Sequence, residues 1–350
     1  MSAENQKIKF AIVGCGHIGK RHAVMITNNP ESELLALADS RPKEELGLEI
    51  DGIPFFNSLD ALLSAGIGFD VLCIASPNGL HEEHGIKGLK SGHHVVIEKP
   101  MALTKAGCES IIYESLHQHK QVFCVMQNRY SPPSVWLKDI LRRRLMGDIY
   151  MVQINCYWNR DSRYYVPGNW HGTKDLDGGT LFTQFSHFID IMFWLFGDIK
   201  NIHGKFTNFS HEGLTEFEDS GFVNFDFING GMGCLNFSTS VWNQNLESSI
   251  TIIGEKGTVK VGGQYMNQVE FCSILDYEMP ILPPSNPPND YGSYKGSAAN
   301  HHFIFENVVD VLKGRASITT NALEGLKVVE IIEKIYQDTS GPASRGSRLE

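Results

Sequence analysis

The sequence predicts a two-part α/β protein: a parallel sheet covered by helices on both faces, then an α+β domain with an open, mainly antiparallel sheet. Three observations predict it. The first third alternates short, continuously apolar runs with helical patterns, the mark of strands buried on both faces. Beyond residue 127 longer runs that alternate apolar and polar side chains take over, the mark of a sheet with one packed and one free face. The chain has 350 residues, 42% apolar and 20% charged, which is a globular composition with room for two domains.

In order, strands are expected at 8–13, 34–38, 71–75, 95–97 and 122–125. A helix follows the first strand to about 28, and others lie near 59–65, 81–90 and 105–119. A helix at 135–146, ended by Gly147, opens the second part. Strands at 149–158, 221–227, 232–240, 249–253 and 258–261 follow, with Gly254-Glu255-Lys256-Gly257 as the turn of a hairpin. A helix opening near Gly178 interrupts this series. Five prolines between 280 and 288 read as an irregular loop, and helices at 300–313 and 321–337 close the chain. The expected domains are 1–126, 127–318 and a C-terminal helix and tail at 319–350.

Composition narrows the function. With 30 basic and 40 acidic residues the net charge is −10, so neither nucleic acid nor an anionic membrane is an expected partner. The longest strongly apolar stretch, 188–196, is half the roughly 20 residues of a membrane span and contains Asp190. The opening MSAENQKIKF has no apolar core and no twin arginine, which reads as cytoplasmic. Seven scattered cysteines without a C-x-x-C pair argue against a disulfide framework and a cysteine metal site. No metal is expected, and His301-His302 reads as the polar start of a helix.

The first chemical signal is Gly14-Cys15-Gly16-His17-Ile18-Gly19, between the first strand and a helix. Such a loop allows a tight turn, lets the backbone approach a pyrophosphate and aims a helix N-terminus at it. Asp39 follows Gly19 by twenty residues, at the end of the second strand, where an acid hydrogen-bonds a ribose and favours NAD over NADP. Arg41 is the competing feature, suited to a 2′-phosphate. Ligands of open parallel sheets lie beyond the carboxyl ends of the strands, which singles out Ser76-Pro77-Asn78 with His81 and His84, and Glu98-Lys99-Pro100. Pro100 biases Lys99 to an extended backbone that aims its amine at the crevice. The bland readings are a solvated loop lysine and two helix-start histidines.

In the second part Asp177 or Thr180 is a candidate helix cap, and Thr183, Gln184 and His187 are spaced to share one helix face. His187, Ile191 and Trp194 also share a stripe, so a core histidine is the alternative. Asp190, one turn on, is placed either to orient the ring or in an unrelated surface pair. Arg129, Arg160 and Arg163 are candidates for anionic substrate groups, and Tyr164, Tyr165 and Trp170 for stacking and hydrogen bonding. Arg142-Arg143-Arg144 reads as a solvated helix end.

The glycine loop, Ser76-Pro77-Asn78, His81 and Glu98-Lys99-Pro100 together resemble the glucose–fructose oxidoreductase/inositol dehydrogenase (Gfo/Idh/MocA) family, over nearly the whole chain. The resemblance implies a Rossmann domain followed by an open sheet, Lys99 as a catalytic residue and a cis bond before Pro100. Gln127-Asn128-Arg129-Tyr130, Trp158-Asn159-Arg160, Tyr164-Tyr165, Asn169-Trp170-His171-Gly172-Thr173 and the stretch from Leu176 to His187 are similar to a branch that oxidises the 3-hydroxyl of UDP-N-acetylglucosaminuronate for surface-polysaccharide sugars. Thr183 stands where the polyol branch usually has Asp. The resemblance implies cofactor contacts from Gly14, Gly16, His17, Ile18, Gly19, Asp39, Ser76, Asn78, His81, Glu98, Gln127 and Trp170. It implies substrate contacts from Lys99, Arg129, Arg160, Tyr164, Tyr165, Thr183, Gln184 and His187.

Oxidising an alcohol with NAD requires a proton acceptor and a group that stabilises the alkoxide. His187 suits the first task and Lys99 the second, with the roles exchangeable. Relatives recycle NAD with 2-oxoglutarate, and the free sheet face suits a homo-oligomer, a dimer or tetramer. Two other readings stand beside this one: an inositol-like sugar or polyol dehydrogenase of the same fold, and a non-catalytic NAD-binding sensor.

Overall fold

Six short strands build the first sheet: β1 (Ile8–Val13), β2 (Ser32–Ala38), β3 (Phe55–Phe56), β4 (Val71–Ile74), β5 (His94–Ile97) and β6 (Val122–Cys124). The computed structural model describes residues 6–48, 52–292 and 294–339. The strands are parallel, in the order β3-β2-β1-β4-β5-β6, with the order reversing direction at β1. Phe10, Ala11 and Ile12 of β1 and all four residues of β4 are fully buried, which is why these strands read as unbroken apolar runs. The connecting helices are α1 (His17–Asn28), α2 (Lys43–Leu46), α3 (Leu59–Ser64), α4 (His81–Lys90) and α5 (Lys105–His117). Ser58 and Thr104 cap α3 and α5 by accepting the amides of Ala61 and Gly107.

The second sheet has seven strands: β7 (Ile149–Tyr157), β8 (Ile199–Thr207), β9 (Ser220–Phe227), β10 (Met232–Ser238), β11 (Glu247–Gly254), β12 (Gly257–Gly262) and β13 (Gln268–Ile274). Their order is β13-β12-β11-β7-β10-β9-β8, antiparallel except for the parallel pair β7–β10. The Gly254–Gly257 hairpin joins β11 to β12 as expected. One face of the sheet is packed: Val152, Ile154 and Cys156 of β7 are buried. The cross-strand register puts Met151, Phe222, Met232, Ile253 and Phe271 together on the other face, where all five remain exposed.

Further helices are α6 (Pro132–Arg142), α7 (Thr180–Thr183), α8 (Ser186–Phe196), α9 (His301–Leu312) and α10 (Ala322–Asp338). The expected helix after Gly178 is thus two helices, interrupted at Gln184 and Phe185. A short pair, β14 (Pro288–Asp290) and β15 (Lys295–Ala298), adds order at the end of the proline-rich stretch.

Strand β8 escapes pattern reading because a register shift between Lys200 and His203, with Asn201 at φ 53°, breaks its alternation. β13 escapes because it is an edge strand with only Ile274 buried.

The described chain packs as two compact units, one holding residues 6–126 and His301–Val329, the other Gln127–Asn300 and 330–339. The domain reading that kept 301–318 with the second part is therefore corrected. Helix α9 belongs to the first unit, where Phe305 packs edge-on against Phe10 and His22, at ring-centroid distances of 5.9 and 5.0 Å. Among the described residues no helix is long and apolar enough to cross a membrane.

Candidate active site

In the first unit, Gly14 has φ +88°, and a Cβ there would lie 2.4 Å from backbone atoms of Ala75 and Ser76. A Cβ on Gly19 would lie 1.9 Å from the Gly14 carbonyl oxygen, so only glycine lets α1 start this close to β1. Gly16 is the N-cap of α1 and brings no side-chain cap, which leaves the first-turn amides for an anion. The charge around the loop suits that anion: His17 is held below its ordinary pKa by burial and by Lys20, Arg21 and Arg41.

Asp39 lies against the same loop, its Oδ2 accepting the Cys15 amide at 2.7 Å. Burial alone would raise its pKa, but the Arg41 guanidinium and the amides of Arg41 and Cys15 hold it low. A persistent carboxylate beside a glycine loop is the acceptor to which a ribose diol donates in a dinucleotide site. Arg41 pairs with Asp39 at 3.2 Å. These residues fit NAD.

At the end of β4, the Ser76 hydroxyl lies 2.9 Å from His84 Nδ1. Burial pushes His84 down to about 4, so the ring is neutral at neutral pH. His81 is wholly buried, with Nδ1 2.7 Å from the Pro100 carbonyl and Nε2 2.9 Å from the Ser76 carbonyl. Both ring nitrogens thus lie within hydrogen-bonding distance of protein carbonyls. Glu98 likewise has protein partners: Oε1 meets His22 Nε2 at 2.9 Å and Oε2 accepts the Lys99 amide at 3.2 Å. Burial would raise its pKa, yet His22, His301 and Lys99 hold Glu98 down at about 2. His301 Nε2 lies 3.8 Å from the same carboxylate. The Lys99–Pro100 peptide is cis, and Lys99 is half-buried. The sequence reading did not single out His22; its signal is a place on the buried stripe of α1 with Gly19, Ala23 and Ile26.

In the second unit, His187 lies at the start of α8, 3% exposed, its Nε2 3.2 Å from Gln127 Nε2. With the Gln127 amide nitrogen facing it as a donor, His187 Nε2 is the acceptor in the neutral tautomer that carries its proton on Nδ1. Gln127, expected at the cofactor, here faces the histidine. The Thr183 hydroxyl donates to the Asp177 carboxylate and to the Asp177 carbonyl. Asp177 also accepts the Gly172 amide at 2.7 Å, so it is a buried acceptor and not the expected cap; Gly179 is the N-cap of α7, with no side-chain bond.

Gln184 links two other candidates. Its Oε1 accepts from Arg160 Nε at 2.8 Å, and its Nε2 donates to the Tyr164 hydroxyl at 2.8 Å. Arg160 is 2% exposed and donates otherwise to the carbonyls of Asn159 and Lys295 and to Asn245 Oδ1. Rings of Trp158, Tyr164 and Tyr294 stand 4.8, 5.2 and 5.0 Å from its guanidinium carbon. Burial lowers its pKa, and its hydrogen-bond partners among the described residues are all neutral. It is a buried cation held by dipoles and aromatic faces, without a carboxylate.

The other arginines differ. Arg129 forms a buried fork on Asp190, with Nε–Oδ2 2.9 Å and Nη2–Oδ1 2.5 Å, so its charge is met within the protein. That places Asp190 in a buried pair, not at the surface. Arg163 is exposed and pairs with Asp161. Arg142 and Arg143 are exposed and share Asp139. Tyr165 packs in a cluster with Tyr164 and Phe217, and Trp170 stacks on His171 at 3.9 Å. Among the described residues no cluster of three or more His, Cys, Asp or Glu could hold a metal.

Comparison with known proteins agrees with this geometry. Residues 8–126 match the oxidoreductase family with an NAD-binding Rossmann fold, and residues 135–260 match the GFO/IDH/MocA C-terminal domain. The chain is 31% identical to the WlbA dehydrogenase of Bordetella pertussis, solved with NADH and UDP-GlcNAcA, with 95% of this chain and 96% of that one covered at a TM-score of 0.84. It is 29% identical to the WlbA dehydrogenase of Chromobacterium violaceum, solved with the same ligands, over 95% and 94% of the chains at a TM-score of 0.85. Glucose-6-phosphate 3-dehydrogenase of Bacillus subtilis is 27% identical over 308 residues, covering 83% of this chain and 85% of that protein. The chain belongs to the Gfo/Idh/MocA oxidoreductase family and binds NAD through its Rossmann unit.

Proposed function

We propose that the protein oxidises the 3-hydroxyl of a UDP-linked N-acetylated hexuronate in the cytoplasm, as a step towards surface-polysaccharide sugars. The observation that carries the substrate class is Arg160: a buried guanidinium whose hydrogen-bond partners among the described residues are all neutral leaves a local excess of positive charge for an anionic substrate. The likeness to two dehydrogenases solved with UDP-GlcNAcA supports the same reading.

NAD, when bound, accepts the hydride. The α1 amides and the Gly14–Gly19 loop hold the pyrophosphate, and Asp39 takes the ribose hydroxyls. His187 takes the hydroxyl proton on Nε2, the substrate O–H replacing the Gln127 N–H there. The Lys99 ammonium stabilises the developing alkoxide. Gln184 orients the Tyr164 hydroxyl, which retains its own proton to donate to the sugar. The exposed sheet face carrying Met151, Phe222 and Met232 pairs with a second copy in a dimer or tetramer.

A thermal-shift panel tests the reading, because ligands of the native state raise its apparent stability. NAD, UDP and UDP-N-acetylglucosaminuronate are expected to raise Tm, and NADP and inositol are not. Adding the uronate to NAD-loaded protein forms NADH, and 2-oxoglutarate reoxidises it. A response to inositol with none to UDP compounds overturns the substrate, and absence of turnover by NAD-loaded protein favours a sensor.

A further inference from the structure

We propose that His81 is a positioning residue: its imidazole staples the carbonyls of Ser76 and Pro100 and thereby fixes the backbone that carries Lys99. This rests on the reading of Lys99 as catalytic.

β4 and β5 are neighbours in the sheet, and the chain leaves their carboxyl ends in two separate segments. Carbonyls beyond a strand end have lost the ladder partners that satisfied them inside it. His81, the first residue of α4, closes that gap with one ring, Nδ1 on Pro100 and Nε2 on Ser76. The peptide before Lys99 is tied as well, since its amide donates to Glu98 Oε2. Lys99 is therefore held on both flanks by contacts that do not use its own side chain. Side chains that must act at a defined point need their carrier backbone held to within a fraction of an ångström.

The bridge depends on protonation. Two carbonyls are acceptors only, so each ring nitrogen must carry a hydrogen, and the staple is complete only as imidazolium. Burial is the largest influence and, with Lys99, holds the His81 pKa below its ordinary value against the two carbonyls and Glu98, so near neutrality the ring donates to one carbonyl while packing against the other, and the second N–H bond forms as pH falls; His84 lies on the same helix.

The test compares His81→Leu, which lacks donors, with His81→Gln, which restores one N–H group towards a carbonyl. Competitive acetylation of Lys99 across pH, read by mass spectrometry without substrate, reports its surroundings whatever the true substrate is. The Lys99 labelling midpoint is expected to move by about 0.5 pH unit or more in His81→Leu and by less in His81→Gln, the scale on which local charge and solvation move an amine. Exposed Lys205 should not change, and the Kd for NAD should stay within about threefold, a loss well below that of one hydrogen bond to a charged group. An unchanged Lys99 profile in folded His81→Leu overturns the proposal, as does an NAD Kd weakened more than about tenfold without a Lys99 shift. In the wild-type protein, imidazole 15N spectra at the acid end of the folded range should show two hydrogen-bonded N–H groups on His81; one N–H throughout that range also overturns it.

Discussion

Gln127 Nε2 and His187 Nε2 meet at 3.2 Å in a buried setting, so a neutral amide governs which imidazole nitrogen carries the proton. Gln127→Leu removes that control and should lower kcat about tenfold. Gln127→Glu, which cannot donate, should draw a proton onto Nε2 and lower kcat about a hundredfold, within the range of acid–base contributions. A Gln127→Glu variant as fast as wild type would show that the ring tautomer does not matter.

Lys99→Met and His187→Asn should each lower kcat by about 10²–10⁴-fold while NAD still binds, since both residues are assigned to proton handling and not to cofactor affinity. Steady-state rates with NAD binding followed by fluorescence check this. Near-wild-type kcat in either variant removes that residue from the mechanism.

Stability should fall as pH drops below neutrality. His84 and His301, held by burial at about 4 and about 3, bind a proton in the unfolded chain near its ordinary pKa but not in the fold. Their stabilisation is therefore complete above about pH 6.5 and is lost as pH falls towards those values. Glu98, at about 2, acts in the same direction, its contribution being present above about pH 4.5 and lost as pH falls towards 2. Urea unfolding at pH 7 and pH 5 should differ by about 1–2 kcal/mol per histidine, and His84→Gln should remove its share. Equal stability at the two pH values would contradict the assignment.

Asp190→Ala should destabilise the second unit by about 3–5 kcal/mol, because it leaves the Arg129 guanidinium buried without its carboxylate. Denaturant midpoints measure it. A loss below about 1 kcal/mol would place Arg129 in water, as for a surface pair.

The glycine loop, Asp39 and the Glu98-Lys99-Pro100 segment were legible because each is a local arrangement: a turn, a strand end, a helix start. Asp39 shows this, reaching the Cys15 amide as its place after β2 implies. Less legible were the partners. Arg129, read as a candidate for anionic groups, pairs with Asp190, 61 residues away, and Glu98 meets His22, 76 residues back, neither of which neighbouring residues could announce.

Neighbouring residues alone dictate strand periodicity, turn chemistry and the seat for a dinucleotide, so the two-part α/β architecture and the cofactor could be read from the chain. Which charges are neutralised, where the helix after Gly178 breaks, and which nitrogen of His187 or His81 is engaged emerge only when distant segments pack. A buried charge or ring takes whichever partner the fold delivers, and desolvation makes that partner decisive.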